Sequence, residues 1–135
     1  MFLHGLTEPQ KRLFLILAKQ FVLADSKLTS AEERHLESLQ SEVRAEVPGD
    51  AESYDKKELL ASFDTAKSQI SIILELITLG YTDGEFSEEE NQFIHELASA
   101  FGISDDELDK YAHWALKHYE VLSEGRVLIG EATSP

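Results

Sequence analysis

Four carboxylates recur at one spacing in this chain and form its most suggestive chemical pattern. Asp25 and Glu32 stand seven residues apart, and Asp83 and Glu90 repeat this spacing 58 residues later. Carboxylate oxygens are the ligands that hard divalent cations prefer. If the two segments face each other, the four side chains can share one ion. We therefore predict a site for calcium, magnesium, manganese or zinc.

The second segment resembles the closing half of an EF-hand loop. Asp83 and Gly84 are followed by Glu85, by an apolar residue and, at the closing position, by Glu90. The opening half is missing, because residues without carboxylates stand where the first ligands would be. One half-loop supplies few of the roughly six to eight oxygens that calcium takes.

A second interpretation needs no metal. Glu32 and Glu90 each follow a Thr or Ser by three residues, which is the spacing of a capping box at a helix start. Asp–Gly is also a common turn dipeptide. In the first segment Ser26 replaces the glycine and Lys27 adds a positive charge, which disfavours a symmetrical metal site. The residues and their spacing are compatible with both interpretations.

Helical periodicity extends over nearly the whole chain, because apolar residues recur every three or four positions. We predict an all-α fold of about five to seven helices in a single domain, 1–135. The long apolar stretch after residue 54 carries a break signal at Asp64 or Thr65, and the last helix is expected at about 104–124. Helix-start signals occur at Thr7, Thr29, Ser87 and Ser104.

The offset of 58 residues predicts an internal duplication. Besides the carboxylates it aligns Leu39 with Leu97 and places similar residue types together in both segments. We expect two pseudo-symmetric helical hairpins, at about 7–46 and 59–103. Their packing in one core would bring the two acidic loops toward each other.

These segments resemble a known family. LADSKLTSAEERHLESL and TLGYTDGEFSEEENQFIHELASAFGIS are similar to the TerB-like tellurite-resistance family. Its signature is a small residue, Asp–Gly, an apolar residue, Ser or Thr, and a Glu three residues later, at the start of a helix. The second segment matches this signature well and the first in part, and the likeness covers most of residues 7–122.

The resemblance implies an all-α fold of two pseudo-symmetric units and no enzymatic activity. It also implies a divalent-metal site at Asp25, Glu32, Asp83 and Glu90, with Glu85 as a weaker addition. Related domains occur in bacterial tellurite-response proteins and in a membrane-anchored DnaJ-like co-chaperone. An interaction or sensing role in a stress response is therefore implied, and a metal-independent scaffold role is the alternative.

Composition excludes several partners and chemistries. The 26 acidic residues against 12 basic ones give a net charge of −14, which repels phosphate backbones and anionic lipids. We therefore predict no nucleic-acid partner and no membrane insertion. The lack of cysteine excludes disulfides and thiol chemistry. The chain begins without a secretory pattern, so we expect it in the cytoplasm.

One less favoured alternative is a carboxylate-bridged metalloenzyme. Glu32 and His35 form a Glu–x–x–His unit on one helix face, as used twice in di-iron bundles. Here the unit occurs once, because Phe93 stands at the position equivalent to His35.

The chain also carries a short apolar tail, Val127 to Ile129, beyond the expected end of the last helix. Such a tail predicts docking onto the body of the protein or onto a second copy of the chain. A homodimer is therefore an alternative to an unidentified protein partner.

Overall fold

The computed structural model describes residues 2–82 and 86–133, with side chains as far as residue 130. Within these ranges the chain forms α-helices and short 3-10 turns and no strand, which confirms the predicted all-α fold. The helices are α1 Glu8–Val22, α2 Ser30–Val43, α3 Lys56–Ala61, α4 Ala66–Gly80, α5 Glu88–Ala100 and α6 Asp105–Thr133.

Reciprocal capping fixes where the helices begin. At α1 the Thr7 hydroxyl accepts a hydrogen bond from the Gln10 amide at 3.2 Å, and the Gln10 side chain accepts one from the Thr7 amide at 2.9 Å. The break in the apolar stretch is also confirmed, since α3 ends at Ala61 and Thr65 caps α4. The same kind of box starts three further helices, after Thr29, Ser87 and Ser104.

Helices α1 and α4 form the centre of the core. Phe14, Leu17 and Phe21 of α1 and Ile73 and Leu76 of α4 are fully buried. Helix α1 contacts α2, α3, α4 and α5, and α4 also contacts α6. The two central helices thus hold α2 and α5, which carry the capping glutamates, in one packed unit.

The last helix is longer than predicted. We expected it to end near residue 124, but α6 continues through Gly125 to Thr133. Its first half packs on the core through Leu108 and Ala115, whereas Leu128 is 67% exposed. An interior glycine costs a helix only about 1 kcal/mol relative to alanine, so Gly125 does not by itself end α6.

The two predicted hairpins correspond to α1 with α2 and to α4 with α5. In each pair a loop leads into a helix that begins with a capping box. The pseudo-symmetry between the pairs stays a prediction. Among the helices in the described ranges, none combines the length and the apolar character needed to cross a bilayer.

Candidate metal centre

Capping boxes hold the two repeated glutamates in place. The Glu32 carboxylate accepts a hydrogen bond from the Thr29 amide at 3.1 Å, and the Thr29 hydroxyl accepts one from the Glu32 amide at 3.1 Å. Glu90 and Ser87 make the same pair of bonds, both at 3.0 Å. One oxygen of each glutamate is therefore explained by helix capping alone.

Burial distinguishes these glutamates from an ordinary capping residue. Glu32 is 4% exposed and Glu90 is 3% exposed. Glu107 makes the same capping bonds with Ser104 at the start of α6, yet its side chain is exposed to solvent. Burying a carboxylate is costly unless it has a compensating partner. Capping does not require this burial, so the burial of Glu32 and Glu90 needs a further explanation.

The Glu32 side chain lies near enough to Glu90 to affect the pKa of that carboxyl. One oxygen of Glu90, Oε2, is completely buried and has no hydrogen-bond partner among the described residues. Burial, followed by the nearby Glu32 carboxyl and its negative charge, raises the pKa of Glu90 to about 8. The charged form of Glu90 is therefore disfavoured in the folded chain unless a cation lies beside it.

Both glutamates line one cavity of about 630 Å³ between the start of α2 and the start of α5. Asp25 also lines this cavity, so the structure brings three of the predicted site residues to one place. The Asp25 carboxylate also accepts a hydrogen bond from the Lys27 amide at 3.0 Å, which shapes the turn before α2. Lys27 lines this cavity as well and is a competing positive charge.

The described residues do not complete a metal site. Within 2–82 and 86–133 no group of three or more histidine, aspartate or glutamate side chains has the arrangement needed to hold an ion. Glu32 and Glu90 meet as a pair, and Asp25 shares their cavity without joining such a group. Asp83 and Glu85 lie outside the described residues, so their role as ligands stays a prediction.

Glu32 and His35 contact different residues and do not act as one unit. Glu32 bonds to Thr29, whereas the ring nitrogen Nδ1 of His35 lies 2.9 Å from the Thr82 hydroxyl, two residues after the end of α4. Burial lowers the pKa of His35. The His35–Thr82 contact joins α2 to the segment immediately before Asp83, which sequence reasoning did not anticipate.

Sequence reasoning also missed the role of Glu75. This residue is 2% exposed within α4, and its carboxylate accepts a hydrogen bond from the Phe2 amide. A single carboxylate inside the apolar stretch of α4 was the available signal. The contact fastens the N-terminal segment to the core and lies apart from the cavity between α2 and α5.

Comparison with known families decides the affiliation. The family model described as tellurite resistance protein TerB matches residues 14–113 of the 135-residue chain. The chain belongs to the TerB family. The TerB match includes both capping-box glutamates and ends within α6, before the exposed half of that helix. No curated protein and no solved structure matches the chain significantly.

Proposed function

We propose that this chain is a non-enzymatic TerB domain that binds one divalent cation between Glu32 and Glu90. The observation that carries the proposal is the buried Glu90 Oε2 atom, which has no hydrogen-bond partner among the described residues and belongs to a side chain that shares its cavity with Glu32. A cation between the two carboxyls would supply the missing interaction and remove their repulsion. It would also join the start of α2 to the start of α5.

The donor set favours a hard cation. The described side chains that line the cavity offer carboxylate and hydroxyl oxygens and no imidazole, and the chain has no cysteine. Calcium, magnesium and manganese prefer oxygen ligands, whereas zinc is commonly held by nitrogen and sulfur. We place the first three ahead of zinc, with water and the predicted ligands Asp83 and Glu85 completing the coordination.

The family match supports a proposal for the biological role. We infer that the domain acts in the cytoplasm as an interaction module of a tellurite-resistance-type stress response. In such a module the ion would fix the α1–α2 and α4–α5 loops in the arrangement that a partner protein recognises. The competing candidate is a metal-independent interaction module, and the capping bonds of Glu32 and Glu90 favour it because they account for one oxygen of each residue.

Thermal unfolding with added cations separates the two candidates. A ligand that binds only the folded state stabilises it by about 2.7 kcal/mol at a concentration 100 times its Kd. We expect calcium, magnesium or manganese to raise the midpoint of the wild-type chain and calorimetric titration to give a saturable heat. Glu90→Gln keeps the capping acceptor but removes the charge, so it should abolish both effects.

Glu107→Gln is the matched control, because Glu107 performs the same capping on α6 without burial. This variant should respond to the cation like wild type. If no cation shifts the midpoint of the wild-type chain, or if both variants lose the response equally, cation binding at this pair is wrong and the metal-independent module remains.

A further inference from the structure

The second half of α6 carries an apolar surface that the body of the domain leaves uncovered. Val121 is 63% exposed and Leu128 is 67% exposed, and the flanking Leu122 and Ile129 are 41% and 67% exposed. This half lies outside the range matched by the TerB model. A helical segment of about a dozen residues is marginal in water without packing contacts. The exposed apolar second half of α6 therefore favours a packing partner.

These residues form one face when placed on a helix with about 100° per residue. Val121, Gly125 and Leu128 lie along its centre line, and Leu122 and Ile129 widen it on one side. The spacing is that of a helix packing against another helix. Val127 is also exposed, at 57%, but it points to the opposite side of α6.

Gly125 lies at the middle of this face. A Cβ atom added there would have none of the described atoms within 4 Å, so no close contact within this part of the chain requires glycine. Glycine weakens a helix interior relative to alanine. It becomes favourable where a second backbone must approach closely, which is the situation at a helix–helix crossing.

Charges flank the face in a complementary way. Glu124 and Arg126 lie about 100° to either side of Gly125, at nearly the same height. In a parallel, in-register pair related by a two-fold axis, each Arg126 faces Glu124 of the second copy. An antiparallel pair centred on Gly125 would instead bring the two arginines together. The segment also carries little net charge in a chain whose total is −14.

We propose that this face of α6 is a homodimer interface, formed by the parallel, in-register pairing of α6 with α6 of a second copy. The exposed apolar side chains along the face are few, so the pair buries less than the roughly 1,200 Å² at the lower end of specific interfaces and forms a weak, reversible dimer. The interface is independent of the proposed cation site, because its residues do not line that cavity.

Oligomeric state is the direct test, measured by sedimentation equilibrium on the full chain over a range of concentrations. The wild-type chain should be a reversible dimer, and Leu128→Glu should weaken its Kd by about a hundredfold or more because it places a carboxylate in the seam. Val127→Glu introduces the same charge on the opposite side of α6 and should remain dimeric. Circular dichroism checks that both variants keep their helix content.

A wild-type chain that stays monomeric at every concentration overturns the proposal. Equal dissociation of Leu128→Glu and Val127→Glu also overturns it, because the effect would then follow charge and not position. Arg126→Glu should weaken the dimer, and adding Glu124→Arg to it should restore the dimer by exchanging the pair.

Cysteine cross-linking tests the orientation, and it is clean because the chain has no cysteine of its own. In a parallel pair Val121→Cys should form an intermolecular disulfide with itself on oxidation, whereas Val127→Cys should not. Cross-linking between Leu122→Cys and Leu128→Cys chains, with none in Val121→Cys, would show an antiparallel pair and overturn the proposed arrangement.

Discussion

The raised pKa of Glu90 makes the stability of the folded domain depend on pH. Burial and the neighbouring Glu32 raise its pKa from 4.5 to about 8. Below about pH 4.5 the carboxyl is protonated in both the folded and the unfolded chain. As the pH rises toward 8 the unfolded chain releases this proton while the folded chain retains it, so folding is progressively penalised. His35, whose pKa burial lowers, acts in the opposite sense on acidification.

We therefore expect Glu90→Gln to change the slope of stability against pH. Without added cation, the variant should be more stable than wild type at pH 8, by about 1–3 kcal/mol, because it removes a buried negative charge that no cation balances. The difference should disappear near pH 4.5. Urea unfolding across this range measures it, with Glu107→Gln as control. Parallel wild-type and Glu90→Gln profiles would contradict the assignment of the raised pKa.

The backbone conformation of Ser26 is expected to lower the stability of the folded domain. Its φ of +63° lies in the left-handed region, where residues with a Cβ are strained. Ser26→Gly should therefore stabilise the domain by about 0.5–1 kcal/mol. Ser41→Gly, at an exposed position inside α2, should destabilise it by up to about 1 kcal/mol. Two losses of equal size would show that strain at Ser26 does not limit stability.

At the scale of elements, helix starts could be predicted from sequence and the buried pair could not. Capping is local, so the boxes at Thr29 and Ser87 follow from residues three positions apart. Glu90 and Glu107 have the same local pattern, and only tertiary packing buries the first and exposes the second. The predicted end of the last helix, near residue 124, was wrong: α6 continues to Thr133, since one interior glycine costs a helix only about 1 kcal/mol.

The junction between α4 and α5 depends on close packing at Gly80. A Cβ on this residue would come within 2.5 Å of the Phe86 ring and 3.1 Å of the Phe21 ring. Phe86 also lines the cavity beside Glu90. Gly80→Ala should therefore cost about 1–3 kcal/mol through overpacking and should also weaken cation binding.

Gly49→Ala is the control for this prediction, because a Cβ there meets no described atom within 4 Å. Thermal or urea unfolding should find it close to wild type. A neutral Gly80→Ala would mean that Phe86 moves aside without cost, and the expected effect on the cavity would then be wrong.

Across the whole molecule, the acidic residues behind the net charge of −14 lie in different environments. Carboxylates at helix starts complement helix dipoles on the surface, as at Glu107. Glu32 and Glu90 differ because packing buries both of them beside one cavity. The second half of α6, by contrast, carries the apolar face proposed to hold two copies together.

The most direct test of the central claim is to locate the ion. Crystals grown with manganese should give an anomalous difference peak between the Glu32 and Glu90 carboxylates, within roughly 2.0–2.6 Å of an oxygen of each. Glu90→Gln crystals grown in the same way should lack the peak. Manganese found only at surface carboxylates, or a wild-type map with no peak at this pair, would contradict cation binding between α2 and α5.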